Sequence, residues 1–185
     1  MSRIYTSGMK PNSTTSPLEI QVIPASLDQA PILANLLELY AYDFSDILKL
    51  RLGPDGRFGY DQLPLYWSDP DRHPFLIAVD DCWAGFALVS NGSKLAPNED
   101  VWDMTEFFIM RSYRGKGIGA HVSHTVFERF PGKWEVRAMH RNQGAKTFWK
   151  RAICEFAGCE VIPAAVQING RDWNVFSFTS SPKST

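Results

Sequence analysis

Apolar and polar residues change period several times along the 185-residue chain, and each change marks an element. Residues 18–23 alternate and stop at Pro24, which reads as a first strand. Ser26 and Asp28 are good helix caps, and Leu27, Ile32, Leu36, Leu37 and Tyr40 follow as an apolar stripe at helical spacing. Residues 42–67 are irregular around Gly53-Pro54-Asp55-Gly56, with short helices expected near 45–52 and 62–67. Strands at 75–79 and 83–89 read as a hairpin across Asp80-Asp81, and 101–110 as a buried strand after a loop opened by Asn91-Gly92. Helical spacing returns over 118–130, with Ile118, Val122, Val126 and Phe127 on one face, and Pro131-Gly132 ends it. A strand at 134–139, a helix from Asn142 to about 157 and closing strands at 160–165 and 173–178 complete the chain. Asn169-Gly170 between the last two is a strong hairpin signal. This order is an α+β layout with one mixed sheet, without internal repeats. Residues 1–17, rich in Ser, Thr and Pro and free of acids, read as a disordered tail, leaving 18–181 as a single domain.

Charge changes the picture more by its placement than by its sum. The net charge of −1 makes no case for nucleic acid or membrane binding, and no apolar run would span a bilayer. Residues 38–72 hold seven acidic and four basic residues, whereas 101–151 hold ten basic and four acidic. The second stretch suits an anionic cofactor and the first a cationic substrate. Cys82, Cys154 and Cys159 have no metal-ligand spacing and lie in apolar segments, so reduced core thiols of a cytoplasmic protein are expected.

Between the strand at 101–110 and the helix at 118–130 stands Arg114-Gly115-Lys116-Gly117-Ile118-Gly119. Glycines let the chain turn without Cβ obstruction, and N–H groups at a helix start converge on an anion. The spacing fits neither the dinucleotide fingerprint nor the Walker loop. Arg-x-x-Gly-x-Gly resembles the pyrophosphate loop of the GNAT superfamily of N-acetyltransferases, which use acetyl-coenzyme A. Asn142, Ala145 and Phe148-Trp149 are similar to that family's second cofactor segment. The resemblance implies a mixed, mostly antiparallel sheet of about seven strands, the fourth and fifth splayed to admit the pantetheine arm. It also implies cofactor contacts from Arg114, Gly115, Lys116, Gly117, Ile118 and Gly119, with Ala120 extending the helix start. Backbone of Phe108 and Ile109 would meet the arm, as would the Asn142 side chain, for which a helix N-cap is the other reading.

Acetyl transfer to an amine needs a base, an oxyanion donor and a proton for the leaving thiolate. Glu106 is the one carboxylate within the apolar part of its strand, where burial would raise its pKa to a useful value. It is the first candidate base, an ion-paired structural acid being the alternative, and Asp103 is the second. Many family members carry a tyrosine seven residues after the asparagine to protonate the sulfur; Trp149 stands there, and an indole is no acid at neutral pH. His121 and His124 lack a third ligand, so no metal is expected, and His140 is a minor candidate base. Tyr40, Asp43 and Asp46, with Tyr60 nearby, would wall a pocket for a cationic amine. The expected function is acetyl-coenzyme A-dependent N-acetylation of a small amine. Acetylation of a protein amine and a catalytically silent acyl-coenzyme A-binding module are the alternatives, and exposed edge strands leave room for a homodimer.

Overall fold

The structure, a computed structural model, describes residues 17–96 and 99–181. All but the last position of the expected tail lies outside the described residues.

Strand β1 (Ile20–Pro24) leads through a single 3-10 turn into helix α1 (Ala30–Leu48). Gln29 Oε1 accepts from the Ser26 N–H at 3.1 Å, which anchors the helix entry. With no glycine or proline between Ile32 and Leu52, α1 absorbs the separate helix expected at 45–52 and stops at Lys49, whose φ of 53° closes it left-handed. Its buried stripe is Leu33, Leu36 and Leu37, whereas Leu27 precedes the helix and is 67% exposed. After the short α2 (Leu65–Ser68), β2 (Arg72–Val79) and β3 (Cys82–Asn91) form the expected hairpin. Asp80 and Asp81 both take positive φ there, as a two-residue turn requires. Strand β4 (Trp102–Ile109), helix α3 (Ile118–Arg129), strand β5 (Gly132–Met139) and helix α4 (Gln143–Ala157) follow.

Strands β6 (Ala164–Ile168) and β7 (Arg171–Ser180) close the fold across Asn169 and Gly170, both at positive φ. The expected strand at 160–165 is displaced toward the turn. The two-residue loop sets the register, and Pro163, just before β6, has no N–H for a ladder. Cys82 and Cys159 are exposed rather than in the core, and only Cys154 is partly buried. Among the described residues no helix is long and apolar enough to cross a membrane.

The seven strands make one sheet in the order β1-β2-β3-β4-β5-β7-β6. All neighbours are antiparallel except β4 and β5. That parallel pair is joined at Trp102–Trp134, Asp103–Glu135 and Met104–Val136 alone, and beyond Met104 the strands part. One sheet face carries α3 and α4 over a core containing Phe127, Trp134 and Phe176; the other carries α1 and α2 over Leu33, Leu76 and Phe86.

Two local features shape β4. The β3–β4 register slips between Leu88 and Val89, which face Glu106 and Met104, leaving Thr105 as a bulge. A one-residue bulge exchanges the faces of everything beyond it. Met104 packs under α3 and α4, yet Glu106 and Phe108 turn to the α1 side while Phe107 and Ile109 stay on the first face. Farther along, Gly85 lies opposite Ile109, and a Cβ at position 85 would come within 2.0 Å of the Phe108 carbonyl oxygen. Because the obstacle is backbone, Gly85→Ala is expected to cost roughly 2–3 kcal/mol by overpacking, read as a lower denaturation midpoint. An unchanged midpoint would mean that β3 and β4 are not held this closely.

Candidate active site

Where β4 and β5 part, two cavities open and meet. The first, of about 460 Å³, runs from the end of β4 along the start of α3. Gly115 and Gly117 line it with φ of 75° and 79°, and nothing lies within 4 Å of where a Cβ would stand on either. The glycines therefore leave a cradle open to a ligand, beside the unpaired N–H groups of the first turn of α3. Ile118 is fully buried and fixes that turn to the core. At Gly119 a Cβ would meet the Phe148 ring at 3.0 Å, so the missing side chain lets α3 and α4 approach. Ala120, Phe108, Ile109, Asn142 and Trp149 also line this cavity. Lys116 is exposed, its ammonium 5.9 Å from the Tyr113 ring centre.

Arginine side chains already gather at the cradle. Arg114 Nε donates to the Ile109 carbonyl at 2.6 Å, and its Nη2 donates to Asp43. Arg111 pairs with the other Asp43 oxygen at 2.8 Å. Burial pushes Asp43 up, but the hydrogen bonds and charges of Arg114 and Arg111 hold it below the usual carboxylate range. Asp43 is therefore the counter-ion of the basic loop, which corrects its expected place in the acceptor pocket. Asp46 is corrected as well: its side chain is 92% exposed, pairs with Lys49 at 2.8 Å and lines neither cavity.

The second cavity, of about 360 Å³, lies on the α1 side of the gap. The bulge at Thr105 aims Glu106 into it, where Tyr40 and Tyr60 donate hydrogen bonds to Oε2 and Oε1. Burial raises the Glu106 carboxyl to about 7, against the hydrogen bonds of both tyrosines and the charge of Arg137. Burial and then the Glu106 charge hold Tyr40 well above the usual phenol value. Tyr60 is brought in by Glu38, whose carboxylate accepts from the N–H groups of Phe58 at 2.8 Å and Gly59 at 3.1 Å and so ties residues 57–60 to α1.

Asp103 is fully buried and lines neither cavity. Arg137 Nε donates to one of its oxygens at 3.1 Å and Nη2 to the other at 2.8 Å, and Thr105 adds a third bond. A carboxylate so occupied holds Arg137 in place and faces neither cavity, unlike Glu106. Asn142 Oδ1 accepts from the Ala145 N–H at 3.0 Å, the N-cap reading, and the residue also lines both cavities. Trp149 is buried against Phe107, Phe127 and Phe148 at the junction. His124 Nε2 is bonded to the Ala152 carbonyl at 2.7 Å, and neither it nor His121 or His140 lines either cavity. Among the described residues no three His, Cys, Asp or Glu side chains gather as for a metal ion.

Sequence reasoning missed Arg51, Arg137, Arg171 and Trp173 in the second cavity and Arg151 in the first. Only Arg137 had a signal: like Glu106, it is a charge within an apolar strand.

A family model described as the acetyltransferase (GNAT) family matches residues 35–156. Among solved structures, an acetyltransferase from Thermus thermophilus is similar at 15% identity and TM-score 0.62, covering 86% of this chain and 96% of that one. Arabidopsis thaliana NAA60 in complex with a bisubstrate analogue is similar at 14% identity and TM-score 0.57, over 88% of this chain and 100% of that one. Spermidine N-acetyltransferase from Vibrio cholerae, in complex with CoA and spermine, gives 14% and 0.56, over 87% and 95%. No functionally curated protein matches the chain in sequence. With the splayed strands, the glycine cradle and a family match over most of its length, the chain belongs to the GNAT family of acetyltransferases.

Proposed function

We propose that the protein transfers acetyl from acetyl-coenzyme A to the primary amine of a small molecule. One observation carries this reading: the two cavities meet at a carboxyl with a proton affinity suited to neutral pH, hydrogen-bonded to a tyrosine that lines both. The residues present suit the cofactor. The open cradle at Gly115 and Gly117 accepts a pyrophosphate on backbone N–H groups, with Arg111 and Arg114 beside it. The gap beyond Met104 leaves backbone of Phe107 and Phe108 without a β5 partner, available to a chain of amides, while the Ile109 carbonyl is taken by Arg114. When bound, acetyl-coenzyme A supplies the activated acetyl thioester. The volume of the acceptor cavity, about 360 Å³, suits a small amine.

Each side chain then has a task. An alkyl amine is mostly protonated at neutral pH, and Glu106 as carboxylate takes its proton so that nitrogen can attack the carbonyl carbon. Tyr40 supplies the proton that the departing sulfur needs. Of the residues shared by both cavities it alone has a hydroxyl, and its raised pKa keeps that hydroxyl protonated. Glu106, now an acid, returns a proton to the Tyr40 oxygen through their hydrogen bond. The ammonium nitrogen sheds two protons on becoming an amide: one reaches sulfur through Glu106 and Tyr40 and the other leaves to solvent, while the C–N bond forms and the C–S bond breaks. Tyr40 thus replaces the tyrosine absent at Trp149.

Because the base works as carboxylate, kcat should rise with pH through an apparent pKa near 7 and then level. Glu106→Gln should lower kcat by about 10²–10⁴-fold and remove that limb, leaving acetyl-coenzyme A affinity intact. A variant retaining full turnover would sink the assignment. Tyr40→Phe should cost on the order of 10²-fold in kcat. It also removes a donor to the Glu106 carboxylate, so the remaining limb should move to higher pH; an unmoved limb would count against the relay. At φ 79° a branched side chain strains the backbone, and Gly117→Val should weaken acetyl-coenzyme A binding by about tenfold or more in calorimetric titration. Unchanged affinity would take the loop out of the cofactor site.

A further inference from the structure

The acceptor cavity contradicts the charge expected of it. The acidic stretch at 38–72 sends none of its seven carboxylates to this cavity: Glu38 holds residues 57–59, Asp43 pairs with Arg111 and Arg114, Asp46 with Lys49 and Asp69 with Arg72, and Asp55, Asp61 and Asp71 line neither cavity. What that stretch brings to the cavity is Arg51. Arg171, at the start of β7, and Arg137 line the same cavity, and Glu106 is its only acidic lining residue. Arg137 is neutralised by Asp103, but neither Arg51 nor Arg171 has an acidic partner among the described residues. Trp173 lines the same cavity, its indole N–H buried without a hydrogen-bond partner and out of reach of solvent.

These contacts decide which hydrogen-bonding groups remain free in the cavity. The hydroxyls of Tyr40 and Tyr60 are used on Glu106, and Asn142 Oδ1 is used on α4. The side-chain donors left over are the guanidinium groups of Arg51 and Arg171 and the NH2 of the Asn142 amide. Arg51 and Arg171 are exposed and unpaired, so an incoming carboxylate meets two guanidinium groups without displacing an acidic partner. A polyamine offers donors only, and would bring positive charge to a cavity already holding an excess of guanidinium groups. Between Glu106 and the arginines the wall is apolar, with Phe44, Leu48 and Phe58, suiting a carbon body between two polar ends.

We infer that the acceptor is an amine that also carries a carboxylate, with its amine at Glu106 and its carboxylate held by Arg51 and Arg171. The inference rests on the transferase reading and narrows it to zwitterionic amino acids. Arg51 and Arg171 come from the coil after α1 and from the start of β7, segments far apart in the chain that line one cavity.

Thiol release from acetyl-coenzyme A should be measured with α- and ω-amino acids of increasing length, each beside its carboxamide, and with spermidine. The best amino acid should exceed its carboxamide by about tenfold or more in kcat/KM, mainly through KM, since guanidinium–carboxylate bonds are charge-assisted. Arg51→Gln and Arg171→Gln should shrink that gap, and Arg171→Glu should move preference toward the carboxamide and spermidine. A wild-type preference for spermidine or for carboxamides would overturn the inference while leaving the transferase intact. Turnover with no amine would instead sink the transferase reading. The same acids and carboxamides titrated calorimetrically into the coenzyme A-loaded protein then decide: binding of an acid over its carboxamide upholds the inference, and equal or absent binding overturns it.

Discussion

The site depends on how little backbone joins β4 to β5. Three residue pairs hold the strands, and beyond Met104 each keeps its outer neighbour while losing the inner one. Unpaired strand backbone inside a protein is costly unless water or a ligand satisfies it, so the parting creates both the cavities and the demand for an occupant. The bulge at Thr105 acts at the same place. Without it, Glu106 would share a face with Met104 and be buried under α3 and α4. With it, the carboxylate turns toward α1 and meets Tyr40.

Much of this was legible in the sequence because the signals are local. Asp80-Asp81 and Asn169-Gly170 announce their hairpins through conformations few other residues accept, and the glycines at 115 and 117 announce the cradle. Glu106 stood out because a carboxylate in an apolar strand calls for a reason. The strand at 160–165 was misplaced because alternation was weak and the register belongs to the turn. Asp43 and Asp46 were misassigned because sequence reveals charge without partners: one faces two arginines some seventy residues away, and the other points to solvent beside Lys49. Arg51, Arg171 and Trp173 carried no local signal, since only the folded sheet brings their segments together.

Those misassignments have one cause, and it reaches beyond the sum of charges. Local acidity in a sequence is no guide to local potential in the fold when each carboxylate has a structural duty. Glu38 organises a loop, Asp43 restrains the basic cradle and Asp103 holds Arg137. Glu106 is different: its partners are neutral hydroxyls, which support a carboxylate without locking it in the charged form. That distinction separates Glu106, whose carboxyl burial raises to about 7, from the acids held by cationic or backbone donors.

The division of the sheet also bears on how the chain holds together. At the parting between β4 and β5 the molecule could be described as two smaller sheets, but its interior does not follow that line. Phe127 and Trp134 belong to the same buried cluster as Ile77 and Val89 from one side and Phe176 from the other. The first half keeps α1 and α2 over Leu33, Leu76 and Phe86, but on the opposite face the core is shared across the joint. The place of weakest main-chain continuity is thus bridged by shared side-chain burial, and a cut at this visible joint would yield two fragments that each expose half a core rather than two modules.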